Sequence, residues 1–300
     1  MVYNIDHCKR VVNPMGCTIM GNAKAKSGKS ESGADVRAID VHGHYGRSID
    51  QPCALANRFM SASPAEVVRR ARAGNIEWTL VSPLAGLMIK AHHDTARANR
   101  DAFRRVPGQP GLLQWFVLNP FCRETFEQGS EMLQAPWCVG IKIHPEQHRY
   151  PIRLYGRRIF EYAEKHGAIV QSHSGQKRSM PEDFLRLAND FPGVKVIISH
   201  MGFSHDGKVW HQVRAISKSR HGNIYTDTST MRTIYPGLLE WAVGEIGADR
   251  ILFGTDSCLY HAPMYRARID TANIPVAAKR KILRENAVGL FPALRRVSAR

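Results

Sequence analysis

The chain has 300 residues, 43% of them hydrophobic, enough to bury a full core as one large barrel or two ordinary domains. Nowhere do about eighteen apolar residues run together, and the N-terminal MVYNIDHCKRVVNPMGC has no long apolar stretch. A membrane-spanning protein is therefore excluded, and a cytoplasmic one is expected. The formal net charge of +16 raises nucleic acid or anionic small molecules as partners, but the arginines are spread over several helical stretches, with few aromatic residues among them. A solvated helical exterior accounts for most of them.

Residues 1–35 stand apart. The segment NAKAKSGKSESGAD is polar and small, without apolar periodicity, and reads as a flexible or loosely packed extension. Within it, AKAKSGKS fits a loose phosphate-loop pattern with Gly28, Lys29 and Ser30 in place. A phosphate loop needs a buried strand before it and an amphipathic helix after it. CTIM is too short for the first and ESGAD opens no helix, so the phosphate-binding reading is set aside. The six cysteines (Cys8, Cys17, Cys53, Cys122, Cys138, Cys258) have no framework spacing and are expected as reduced thiols, Cys258 as a small buried one.

From residue 36 to 300 the chain alternates. Strand-like apolar runs fall at 36–42, 76–82, 113–118, 138–143, 168–172, 194–199, 223–227 and 250–254. Helical stretches fall at 64–73, 92–105, 121–134, 154–166, 181–190, 207–219, 235–246 and 276–290, the first opening on Ser63-Pro64. Strand and helix alternating eight times predicts an α/β protein, a (β/α)8 TIM barrel with a short N-terminal extension; a barrel of about 250 residues fits the span. A doubly wound open sheet is the runner-up, but it would leave the chemically interesting residues without a common focus.

Four of the runs end in residues suited to a metal or to acid/base work: AIDVHGH in His42 and His44, AIVQSH in His173, VIISH in His200 and ILFGTD in Asp256. A strand alternates its faces, so His42 and His44 point to the same side, and in a parallel barrel the C-terminal strand ends converge on one mouth. Any one of these histidines could be a hydrogen-bonded core residue, and Asp256 a helix cap. Together they define a common site, since four imidazoles and a carboxylate in one mouth would otherwise each need a separate partner. His92, His93, His148, His205, His211 and His221 fall in loops or helices and read as surface residues.

IDVHGH, IVQSHSG, IISHMG, FGTD and the closing NAVGLF resemble the amidohydrolase superfamily, over about residues 38–293. The likeness is to the amidohydrolase-related branch containing the aminocarboxymuconate-semialdehyde decarboxylases. The resemblance implies a metal-dependent enzyme with one divalent ion, Zn²⁺ by preference, held by His42, His44, His173 and Asp256. His200 and Asp256 take the catalytic roles, His200 acting on a metal-bound water without being a main ligand. The chemistry agrees: zinc brings the pKa of its water to about 7, and a neutral imidazole is matched to take that proton.

In the fourth strand, GIKIHP puts Lys142 and His144 on one face, as substrate-binding or supporting groups; a carbamylated Lys142 would bring a second ion. Arg47, Lys177, Arg178 and Arg232 are loop cations suited to a carboxylated substrate. The reading favoured from sequence is a metal-dependent hydrolase acting on a small carboxylated or cyclic molecule, with a non-oxidative decarboxylase as the close alternative. A nucleic-acid-binding barrel is the rival of a different class, and salt-dependent binding to random DNA that survives metal removal would support it. The expected partner is a small anionic molecule, with neither membrane nor nucleic acid; a homodimer is left open.

Overall fold

The computed structural model describes residues 35–230 and 234–298. The phosphate-loop-like stretch at residues 23–30, Cys8, Cys17 and Arg232 lie outside the described residues. Eight strands form one sheet in chain order: β1 (Ala38–Tyr45), β2 (Ile76–Pro83), β3 (Leu112–Val117), β4 (Cys138–Ile143), β5 (Val170–Ser172), β6 (Val196–Ile198), β7 (Ile224–Asp227) and β8 (Ile251–Leu252). Each pairs in parallel with the next. β8 is short, and the chain beyond it closes the ring: Val41 N donates to Phe253 O at 2.9 Å and Asp256 N to His42 O at 2.7 Å. The fold is a (β/α)8 barrel.

All eight residues of β1 are buried, as expected of a parallel strand covered by helices on one face and by the barrel interior on the other. Inside, Ile39, Leu80, Leu113, Trp115 and Ile197 pack as one cluster, and Phe291 meets Trp115 edge to face at 5.5 Å to fill the end opposite the histidines. Outside, Phe116, Ile141, Val170 and Ile198 pack under helix Ile152–Lys165 through Ile159 and Phe160.

The helices follow the expected alternation. Helix Pro64–Ala73 opens as its sequence directs, with Ser63 Oγ accepting from Glu66 N at 3.2 Å and Pro64 in the first turn. The stretch expected at 207–219 is helical only over His211–Ser217, and 276–290 divides into Val276–Arg280, a π-helical Lys281–Glu285 and Asn286–Leu290. Helices Ala54–Phe59, Leu84–Leu87, Ala262–Asp270 and Pro292–Ser298 were not anticipated. The first buries none of its residues, and in Ala262–Asp270 the buried Arg266 interrupts a short stripe of Ala262, Tyr265 and Ile269.

Exterior arginines sit in short-range helical ion pairs such as Arg69 with Glu66 at 2.7 Å and Arg105 with Asp101 at 2.8 Å. Cys258 is buried, with Sγ 3.3 Å from Met60 O, and burial pushes its thiol up to about 11. Among the described residues no helix is long and apolar enough to cross a membrane.

Candidate metal centre

The barrel geometry brings His42, His44, Lys142, His144, His173, His200 and Asp256 to one cavity of ≈ 170 Å³. In β1, His42 and His44 flank Gly43, and a Cβ on Gly43 would meet Thr79 Cγ2 at 2.4 Å. The middle residue of the HGH run is therefore set by close approach of β1 to β2. His173 directly follows β5, and His200 and Asp256 stand just past β6 and β8. Both His200 and Asp256 adopt left-handed backbone, with φ of 69° and 56°. That conformation costs a non-glycine residue about 1–2 kcal/mol and persists only where surrounding bonds hold it.

His44 Nε2 lies 2.9 Å and His42 Nε2 3.5 Å from Asp256 Oδ1. Ligands held about 2.0–2.2 Å from a tetrahedral ion are roughly 3.2–3.6 Å apart, so this trio has nearly the spacing of a shared ion. The donor atoms of His42, His44 and Asp256 come within 4.8 Å of one another, as do those of a second trio, His42, His200 and Asp227. The second is tied together by hydrogen bonds: His42 Nδ1 is 3.0 Å from Asp227 Oδ2 and 2.8 Å from Ser229 Oγ, and Ser229 Oγ is 3.0 Å from His200 Nδ1. His173 lines the cavity but belongs to neither trio; its ring stacks on His144 at 4.2 Å, with Nδ1 2.9 Å from His200 Nε2.

Burial dominates the electrostatics. Desolvation, with the Lys142 charge adding to it, brings His42 down to about 3; desolvation likewise lowers His44, His144 and His173. The rings are neutral at pH 7, the form that ligates metals. Desolvation raises the carboxyls of Asp227 and Asp256, but the groups around them, His42, His200 and Ser229 at Asp227 and His44, His42 and His200 at Asp256, outweigh it and hold both below the usual range. Lys142, 1% exposed, is lowered by desolvation to about 8. Its Nζ is 2.7 Å from His42 Nε2 and donates to Gln171 Oε1 at 3.1 Å.

Hydrogen-bond partners assign the ring nitrogens. His200 Nδ1 meets the carbonyl of Ser229 at 3.0 Å and His42 Nδ1 meets the Asp227 carboxylate; both partners only accept, so each Nδ1 donates and each Nε2 lone pair faces the cavity. His173 Nε2 lies 2.6 Å from the Gln176 amide, and its Nδ1 faces His200 Nε2 at 2.9 Å. His44 Nδ1 lies 2.8 Å from Ser82 Oγ, which can accept its proton and so free Nε2. Inward lone pairs, outward N–H groups already bonded and one carboxylate are the donor set a divalent cation requires, and the residues fit the ion.

Arg47, Lys177 and Arg178 are exposed and lie outside the cavity lining, with Arg178 bound to Glu146 at 3.0 Å. Two histidines read as surface residues are not: His148 is fully buried with Nε2 donating to Gly86 O at 2.9 Å, and His211, 9% exposed, is held between Glu182 and Asp206. Sequence reasoning missed Asp227, Ser229, Gln171 and Gln176. Asp227 ends β7 as the chosen residues end theirs, so the rule that found the others would have found it in NIYTDTS.

The chain belongs to the amidohydrolase family: the family model described as Amidohydrolase matches residues 39–293. It is an enzyme of that superfamily. No curated protein sequence matches. Among solved structures, the chain is similar to 2,6-dihydroxybenzoate decarboxylase from Rhizobium (17% identity, 84% of this chain and 97% of that one, TM-score 0.65). It is also similar to 5-carboxyvanillate decarboxylase from Sphingomonas paucimobilis (16% identity, 85% and 98%, TM-score 0.65). A third is a dihydroxybenzoic acid decarboxylase from Polaromonas sp., solved with bound manganese and the inhibitor 2-nitroresorcinol (18% identity, 84% and 96%, TM-score 0.66).

Proposed function

We propose that the protein is a metal-dependent, non-oxidative decarboxylase of a small ring-bearing carboxylate, in place of the hydrolase favoured from sequence. The observation that carries this reading is the cavity itself. It holds the His42, His44 and Asp256 trio together with an apolar side of Leu84, Leu87, Met88, Phe203 and Leu259 and a polar side that includes Lys142, His144 and Thr230, so a small ring bearing a charged group can be held against the trio. The named decarboxylases among the solved structures support the same reaction type.

His42, His44, His173 and Asp256 would hold one divalent ion. A mixed imidazole and carboxylate set accepts Zn²⁺ or Mn²⁺, and manganese in the Polaromonas enzyme supports the latter equally. When bound, the ion supplies a fixed positive charge that anchors an oxygen of the substrate and stabilises negative charge on it. Lys142 donates to Gln171 and lies 2.7 Å from His42 Nε2; with the ion on that lone pair, its ammonium would be left to pair with an anionic substrate, in support of a one-metal site, whereas Arg47 and Arg178 lie outside the cavity lining. Loss of CO₂ requires a proton on the carbon that bore the carboxylate; as the C–C bond breaks, its electron pair returns to the ring. A hydroxyl of the substrate can supply it: His200, whose Nε2 lone pair faces the cavity, would take that proton and, with Asp256 beside it, pass it to the carbon, leaving CO₂ and a phenolate.

The test is a panel of hydroxylated benzoates, lactones and amides given to protein loaded with Mn²⁺ or Zn²⁺, following CO₂ release and hydrolysis separately. Stoichiometric CO₂ from an aryl carboxylate is expected. Hydrolysis of a lactone or amide without CO₂ from any carboxylate overturns the proposal.

A further inference from the structure

Asp227 is fully buried at the end of β7 and gathers donors from four directions. Its Oδ2 accepts from His42 Nδ1 at 3.0 Å and from Gln171 Nε2 at 3.3 Å. Its Oδ1 accepts from the backbone N–H of His200 at 3.2 Å, from Ser229 N at 3.0 Å and from Ser229 Oγ. Its own carbonyl accepts from Met201 N at 3.0 Å. The bonds to His200 N and Met201 N bracket the left-handed turn at His200, and the bonds from Ser229 hold in place the carbonyl on which His200 Nδ1 donates. Gln171, oriented by Asp227 and by Val41 O at 3.1 Å, is thereby made to present Oε1 to Lys142.

We propose that Asp227 is the positioning residue of the centre: one carboxylate fixes which ring nitrogen both His42 and His200 turn into the cavity, and so couples the residue that binds metal to the residue that moves the proton. This rests on the metal centre proposed above. A carboxylate that only accepts leaves His42 one tautomer, with the Nε2 lone pair turned into the cavity beside Lys142 Nζ, and an imidazole oriented by such a partner binds metal more tightly. An amide at position 227 would keep the volume but offer two donors and one acceptor to a site that needs acceptors on both sides.

The test compares wild type, Asp227→Asn and Asp40→Asn. Asp40 is an equally buried carboxylate that binds His42 N and Thr255 but no imidazole, so it controls for the general cost of altering the barrel interior. Two readouts are taken: Zn²⁺ affinity by competition with a chelator, and ¹⁵N shifts of labelled histidine in the zinc-loaded protein. Asp227→Asn should weaken Zn²⁺ by about 10- to 100-fold and change the nitrogen signatures of both His42 and His200, while Asp40→Asn keeps both signatures. Zn²⁺ affinity within about threefold of wild type, or a signature change confined to one histidine, overturns the coupling. If Asp227→Asn does not fold, the wild type decides alone: His42 and His200 must each carry their proton on Nδ1, and a proton on Nε2 of either refutes the assignment. Wild type that binds no Zn²⁺ or Mn²⁺ at all refutes instead the metal centre on which this rests.

Discussion

Gly43 gives the most direct test of how the barrel holds its histidines. A Cβ there would lie 2.4 Å from Thr79 Cγ2, 3.3 Å from Ser257 Oγ and 3.4 Å from Val81 Cγ1. Carbon atoms rest at about 3.5–4.0 Å, so Gly43→Ala must open the Thr79 contact by more than about 1 Å. Thr79 is fully buried and a β-branched side chain has few alternative rotamers, so the strand moves instead. Overpacking of this kind costs about 1–3 kcal/mol, or a Tm lowered by roughly 2–10 °C in a protein of this size. Because β1 carries His42 and His44 on either side of the substitution, metal affinity should fall with it. Thr79→Ser removes the clashing methyl at a cost of about 1 kcal/mol by itself, so the double variant should be more stable than the sum of the two changes by about 1–2 kcal/mol. Thermal melts of the four proteins, metal-free and metal-loaded, measure this cycle. A Gly43→Ala protein as stable as wild type, or strictly additive costs, would show that β1 and β2 are not locked at this point.

Replacing His42 and His44 together with alanine should strip the divalent ion, read by elemental analysis, while leaving the helical circular dichroism nearly intact. His200→Ala should keep the ion but lose about 10²- to 10⁴-fold in turnover, the usual worth of a positioned acid/base group, whereas His173→Ala should lose metal affinity. A His200→Ala protein that purifies without metal would move His200 among the ligands. For His211, desolvation lowers the pKa, but the bonds its ring donates to Glu182 at 2.6 Å and Asp206 at 3.1 Å outweigh it and raise the group overall. A raised folded-state pKa gives stability present below the unfolded value of about 6.5 and lost as pH rises through the folded one. The Tm difference between wild type and His211→Gln should therefore be largest near about pH 6 and shrink towards about pH 9; a constant or growing difference contradicts the ion-pair account.

The barrel was legible because its strands are buried on both faces and its main helices carry apolar stripes, two signals that survive in a single sequence. Elements outside those periodicities were not. Helix Ala54–Phe59 buries nothing, and in Ala262–Asp270 the inward Arg266, bonded to Asp270 and the carbonyl of Val36, breaks up the short stripe of Ala262, Tyr265 and Ile269. The histidines at the mouth were legible by position, since a polar residue ending an apolar strand has few places to go but the barrel rim. The same rule fails for His148, where burial comes from a loop folding back on Gly86 rather than from strand periodicity. Asp227 was passed over for a different reason: TD before TS also reads as turn chemistry, and only the register of β7 against β6, Ile198 beside Thr226, sets the carboxylate under the backbone of His200. Ligand types are written in the sequence one residue at a time, but the partners that orient them come from neighbouring strands. What a chain of this fold does with its metal therefore depends on pairings such as Asp227 with His42, 185 residues apart, which local pattern cannot encode.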